Sequence, residues 1–187
     1  MLFIICAPSG AGKTSLIKEM FRFFPFLTFS VSATTRKMRK GEQNGKDYYF
    51  ISKKDFEQRI KNNEFVEWEF VHGEYYGTLK NEVEKSLENN SDIIFDVDVK
   101  GALSIKKLFP EAVTIFIDAP KNDIVERLKK RKTETIEDIN KRIARMELEL
   151  SLRDKIDYEI GNESDPGGFE KAVDELKNLI YKLKSIK

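Results

Sequence analysis

The chain has 187 residues, 40% of them hydrophobic and 35% charged, with 33 Lys and Arg against 32 Asp and Glu for a formal net charge of +1. That length fits one domain with a real core, and the apolar content excludes an intrinsically disordered chain. The even charge balance argues against a nucleic-acid coat or a polybasic membrane binder. Cys6 is the single cysteine, so an internal disulfide is excluded and a reducing compartment is expected. The apolar opening at 1–7 is too short to span a bilayer and has no basic stretch before it, which predicts a soluble, cytoplasmic protein.

The continuous apolar run at 2–6 reads as a strand buried on both faces. A glycine-rich turn follows at 7–12. Residues 14–24 read as a helix on the spacing of Leu16, Ile17, Met20, Phe21 and Phe24, stopped by Pro25. From about 29 to 76 the rhythm changes. Residues 48–51 are strand-like, Ser52 to Asp55 opens a short helix through a capping box, and 65–71 alternates. That alternation puts Phe65, Glu67, Glu69 and Val71 on one face and Val66, Trp68 and Phe70 on the other. An inserted, antiparallel-rich α+β subdomain is expected there. Two more buried strands lie at 93–97 and 113–117, each followed by helical pattern. A basic helix is predicted at 122–132. Another opens at Thr135 with a stripe of Ile136, Ile139, Ile143, Met146 and Leu150, and a last helix runs from 169 to 183 after a loop at 164–168. Strand and helix in alternation predict an α/β fold, a parallel sheet flanked by helices.

The sharpest motif is Ala7-Pro8-Ser9-Gly10-Ala11-Gly12-Lys13-Thr14. Lying between a strand and a helix, it reads as a phosphate loop. Main-chain N–H groups and the helix N-terminus would cradle phosphate oxygens, Lys13 would reach the β and γ phosphates, and the Thr14 hydroxyl would ligate Mg²⁺. Ala7 stands where a glycine is usual, which a negative φ tolerates. Asp96 and Asp98 end an inner strand, facing the crevice of an open parallel sheet. Asp96 would hold Mg²⁺ through water, and a helix cap for the segment after Gly101 is the alternative.

Four basic residues within 36–40 look like a nucleic-acid patch by pattern alone. Hydroxyl residues before them and tyrosines after favour a phosphate monoester instead, held by the planar forks of Arg36 and Arg39 with Tyr48 and Tyr76 adding hydroxyls. In the inserted subdomain Glu67 or Glu69, between which the sequence does not choose, could read guanine. A carboxylate accepts from N1–H and the exocyclic amine together, and adenine offers it an acceptor instead. His72, the only histidine, is read as a surface residue.

These motifs, together with Ser30 to Arg36, Arg39, Gly41, Glu42, Gly45, Asp47-Tyr48, Glu64 to Trp68, Tyr75 to Thr78, Asp96 to Gly101, Arg127-Leu128, Arg131, Asn140 to Arg142 and Asn162, make the chain resemble guanylate kinase over nearly its whole length. The resemblance implies a P-loop NTPase-type core (about 1–32, 77–121 and 150–187), a GMP-binding subdomain (about 33–76) and a helical lid (about 122–149). It implies transfer of the ATP γ-phosphoryl to GMP, and to dGMP, with Mg²⁺ at Thr14 and Asp96. ATP would be bound by residues 7–14 and Asn162, which precedes Glu163 where the family has Asp. GMP would be bound by Ser32, Arg36, Arg39, Glu42, Tyr48, Glu67, Tyr76, Thr78 (serine in the family) and Asp98. Lys13, Arg39, Arg131 and Arg142 would carry catalysis. ATP and GMP are the partners so implied, with no nucleic acid or membrane, and a homo-oligomer is left open. Two rivals are weighed: a non-catalytic, protein-binding relative, which the intact Gly12-Lys13-Thr14 opposes, and a sugar-phosphate kinase, which would need no base reader.

Overall fold

A computed structural model describes residues 1–71, 73–89, 91–130 and 136–185, with the backbone alone described at 130 and 136–140. In chain order the elements are β1 (Leu2–Cys6), α1 (Lys13–Phe23), β2 (Leu27–Ser30), β3 (Ala33–Thr34), β4 (Tyr49–Phe50), α2 (Lys53–Lys61), β5 (Phe65–Val71) and β6 (Glu74–Leu79). Then come α3 (Lys80–Glu88), β7 (Asp92–Val97), α4 (Val99–Leu108), β8 (Val113–Asp118), α5 (Lys121–Lys130), α6 (Ile136–Ser151), β9 (Tyr158–Gly161) and α7 (Gly168–Ser185).

Strands β2, β7, β1, β8 and β9 form one parallel sheet in that order. Strand β1 lies at its centre with all five residues buried. Phe3 and Ile5 pack with Leu16, Met20, Leu176 and Ile180 on one face. Leu2, Ile4 and Cys6 pack with Val83, Ala102 and Ile105 on the other. A strand covered on both faces cannot alternate, which is why its sequence is an unbroken apolar run. The three expected core strands are all present. The sheet also has two edge strands that apolar pattern does not mark, since β2 buries only Leu27 and Ser30 and β9 only Ile160. Phe29 therefore belongs to the parallel sheet and not to the insertion. Helix α1 starts one residue earlier than expected and leaves Phe24 as its cap, the ring fully buried before Pro25.

The inserted segment builds a second sheet of order β4-β3-β6-β5, in which β3 pairs parallel with β4 and the remaining pairings are antiparallel. Ser52 caps α2 as expected: its Oγ accepts from Asp55 N–H at 3.0 Å. Strict alternation in β5 fails at one point. The register slips between Phe65 and Glu67, a bulge that leaves one residue unpaired and reverses the facing of everything before it. Phe65 thus joins Phe56 and Tyr75 instead of the face of Glu67, while Val66 packs on the core beside α4. The Phe56 ring is stacked 4.3 Å from Phe65 and 5.0 Å from Tyr75.

Helix α5 begins one residue earlier than expected, and 131–132 and the Thr135 cap lie outside the described residues, as does His72. On α6, Met146 is buried and Ile143 and Leu150 pack on the core as the stripe requires; the side chains of Ile136 and Ile139 lie outside the description. Helix α7 starts at Gly168, inside the segment expected to be loop, and ends at Ser185. Among the described residues no helix is long and apolar enough to cross a membrane.

Among the described residues the aromatic stack is the centre of the buried cluster of the insertion. Phe56→Ala is expected to cost about 3–5 kcal/mol in urea unfolding. A loss below about 1 kcal/mol would show that the stack does not hold the insertion together.

Candidate active site at the end of the parallel sheet

The phosphate loop joins β1 to α1. Gly10 and Gly12 have φ of 99° and 93°, a region where side chains are strained. A Cβ on Gly12 would also lie 2.3 Å from Asn162 Nδ2. Ala7 is not among the residues with positive φ, so alanine is at ease there. The loop is held from behind. The Ala11 carbonyl accepts from Asn162 Nδ2 at 2.6 Å and from Arg127 Nη1 at 3.2 Å. Arg127 Nη2 also donates to the Asn162 carbonyl at 3.0 Å and to Ser164 Oγ at 2.9 Å. Asn162 is buried, and its Oδ1 has no hydrogen-bond partner among the described residues.

At the first turn of α1, Lys13 Nζ lies 2.5 Å from Asp96 Oδ1 and donates to the Val97 carbonyl. Burial pushes the ammonium pKa down, but the Asp96 charge and hydrogen bond outweigh it and leave Lys13 above its ordinary value. Thr14 Oγ1 donates to the other Asp96 oxygen at 3.4 Å. Asp98 caps α4, its Oδ1 accepting from Gly101 N–H at 2.7 Å, so the helix begins at Val99 and not after Gly101. The cap does not exhaust Asp98, whose second oxygen accepts from Arg145.

Across the cleft, Arg36 forks onto Glu42, with Nη1 3.0 Å from Oε2 and Nη2 2.8 Å from Oε1. Glu42 also accepts from Arg39 N–H at 2.7 Å. Desolvation raises the Glu42 carboxyl pKa, and its bonds to Arg36 and Arg39 more than reverse this, leaving it low. The Arg36 guanidinium lies 5.4 Å from the Tyr48 ring centre, and Tyr48 is 6.2 Å from Tyr76. Burial raises the Tyr48 hydroxyl pKa, so it stays a hydrogen-bond donor.

Glu67 Oε1 accepts from Thr78 Oγ1 at 2.6 Å. Its other oxygen would be 3.1 Å from a Cβ on Gly101, so the missing side chain there leaves room for the carboxylate. Burial raises the Glu67 pKa to about 7, with Thr78 lowering it and Asp98 raising it. Glu69, the alternative reader, is engaged by Arg145 at 2.6 Å and Lys100 at 3.4 Å.

One cavity of about 390 Å³ joins these parts. The phosphate loop, Lys13, Thr14, Asp96 and Arg142 line one end; Ser32, Arg36, Arg39, Tyr48, Tyr76, Glu67 and Asp98 line the other. Ala11, Glu42, Thr78 and Asn162 are not on its wall: Glu42 and Thr78 are bonded to Arg36 and Glu67, which are, and Asn162 is bonded to Ala11. Arg142 Nη1 donates to Ser9 Oγ at 2.5 Å. Arg131 lies outside the described residues. Sequence reasoning passed over Arg145 and Glu149, which also line the cavity. Their spacing from Arg142, three and seven residues on a helix, puts all three on one face and is the signal that could have found them.

The guanylate kinase family model matches residues 1–183. The chain is 43% identical over 180 residues to the guanylate kinase of Thermotoga maritima, covering 96% of this chain and 85% of that one. It is 40% identical over 185 residues to that of Helicobacter pylori strain 26695, covering 98% and 90%. The crystal structure of guanylate kinase from Anaplasma phagocytophilum superposes with a TM-score of 0.73 at 28% identity, covering 97% of this chain and 85% of that one. The chain belongs to the guanylate kinase family.

Proposed function

We propose that this cleft carries out the family's reaction with the residues described above. The reaction is ATP-dependent phosphorylation of GMP to GDP. The observation that carries the assignment is a single cavity with a phosphate loop at one end and, at the other, an arginine fork beside a buried carboxylate. In our reading Lys13 and the loop amides hold the ATP phosphates, with Arg142 and Arg131 closing over the γ-phosphoryl. Arg36, Arg39, Tyr48 and Tyr76 hold the GMP phosphate, and Glu42 keeps Arg36 in place. Glu67, Ser32 and Asp98 read the guanine, and Thr78 takes part through its bond to Glu67. Asn162 steadies the loop beside the adenosine end. dGMP is a second acceptor, since these readers address base and phosphate.

A GMP phosphate oxygen attacks the γ-phosphorus in line, a new P–O bond forms, and the bond to the β–γ bridging oxygen breaks as ADP leaves. Little covalent work falls to the protein; it aligns the two anions and offsets the charge of the transition state. Thr14 and Asp96 present hydroxyl and carboxylate oxygens 3.4 Å apart, the donor type a hard cation takes. Among the described residues no three His, Cys, Asp or Glu gather as a metal site. When bound, Mg²⁺ offsets phosphate charge. Residues 33–76 and 122–149 are the moving subdomains that exclude water. The protein works in the cytoplasm, without nucleic acid or membrane, as a monomer or homo-oligomer.

Lys13→Ala is expected to lower kcat by about 10³-fold or more with every acceptor. Glu67→Gln is expected to lower kcat/KM for GMP by about 10²–10⁴-fold and to spare acceptors without a guanine. Equal losses on both acceptor classes would defeat the base-reading role.

The Glu67 carboxyl, ordinarily near 4.5 and raised to about 7 in the fold, keeps a proton that the unfolded chain gives up. Ligand-free stability therefore falls as pH rises through that window. Glu149, raised to about 7 by burial, adds to the slope. Glu67→Gln should flatten it and raise the ligand-free melting temperature at pH 8 by about 2–4 °C. Melting curves across pH 4 to 8, with an unchanged slope in the variant, would contradict this.

A further inference from the structure

Arg145 sits on α6 and touches three carboxylates from three parts of the chain. Its Nη2 donates to Glu69 of β5 at 2.6 Å and to Asp98 at the start of α4, and its Nε to Glu149, one turn along its own helix, at 3.1 Å. Glu67 is close enough to feel both Asp98 and Glu69. Four acidic side chains thus share the base end of the cavity, and one guanidinium binds three of them. Like charges gathered at low dielectric raise each other's pKa and push apart unless a cation sits among them. Asp98 is fixed at both oxygens, by Gly101 N–H on one and Arg145 on the other. The same helix carries Arg142, three residues earlier, on Ser9 of the phosphate loop. Side chains three apart lie on one helical face, so α6 touches the donor loop and the acceptor floor side by side.

We propose that Arg145 is a positioning residue for acceptor specificity: it clamps Asp98 and Glu69 into the floor on which the guanine 2-amino group is read, leaves Glu67 as the carboxylate it does not itself bind, and ties that floor to the helix that meets the phosphate loop. This rests on the base-reading roles proposed above for Glu67 and Asp98. The guanidinium holds its acceptors from two nitrogens at once, Glu69 and Asp98 on Nη2 and Glu149 on Nε; a lysine keeps the charge and has one nitrogen in place of that fork.

The test measures kcat and KM for GMP, for IMP (which lacks the 2-amino group) and for ATP, in the wild-type protein and in Arg145→Lys and Arg145→Met. The wild type is expected to favour GMP over IMP in kcat/KM by about 10²-fold or more. Arg145→Met should raise KM for GMP about 10-fold, leave KM for ATP within about twofold, and shrink the GMP/IMP ratio at least about fivefold. Arg145→Lys should fall between, with a ratio reduced at least about threefold. A ratio within about twofold of wild type in either variant overturns the inference alone, as does a parallel rise of both KM values with the ratio intact. A wild type that uses IMP as well as GMP overturns the base-reading roles and this inference with them. Should Arg145→Met fail to fold, the Arg145→Lys ratio decides.

Discussion

Lys13 and Asp96 are ion-paired at 2.5 Å where β7 and α1 meet, and two further groups of the site follow the same pattern. Three of the donors assigned to phosphate already rest on an oxygen of the protein: Lys13 on Asp96, Arg36 on Glu42, Arg142 on Ser9. A charge stored in a half-buried cleft without such a partner would lose its proton or its position. Lys13 shows the balance, since burial alone would push its pKa down and Asp96 keeps it up. An incoming phosphate therefore exchanges one oxygen partner for another, and the donors need little reorganisation when charge develops on the transferring group.

The fold makes that storage possible. Parallel strands buried on both faces end together, and the turns after β1 and β7 deliver Lys13, Asp96 and Asp98 to one crevice. The inserted sheet brings the acceptor side. Its bulge at Phe65 sends one aromatic ring into the small core of Phe56 and Tyr75 while Glu67 faces the cleft. If Glu67 reads the base as proposed, fold stability and recognition are in tension there, because burial disfavours the ionised form that a guanine edge requires.

The parts legible from sequence were those whose chemistry is local. The run at Leu2 to Cys6, the glycines of the phosphate loop, the Ser52 cap and the α6 stripe each follow from neighbours a few residues away. The edge strands β2 and β9 escaped because an edge needs few buried side chains, and the facing of Phe65 because a bulge leaves no mark on a hydrophobic pattern. That Glu69 meets a cation is a tertiary fact invisible in the alternation of β5, and Arg145 itself draws its meaning from residues 47 and 76 positions away. Glu42, read from the resemblance as a GMP contact, is bonded to Arg36 and is not on the cavity wall; sequence spacing does not show which residue of such a pair lies nearer the cavity.

On the proposed function Arg36, kept in place by Glu42, meets the acceptor's phosphate and nothing else of the acceptor. Dissociation constants of GMP and of guanosine, with the wild-type protein and with Arg36→Met, test this. GMP binding is expected to weaken by about 10²-fold, the scale of a lost charge-assisted pair, with guanosine binding unchanged within about twofold. Equal weakening of both ligands, or GMP binding that survives the substitution, would contradict it.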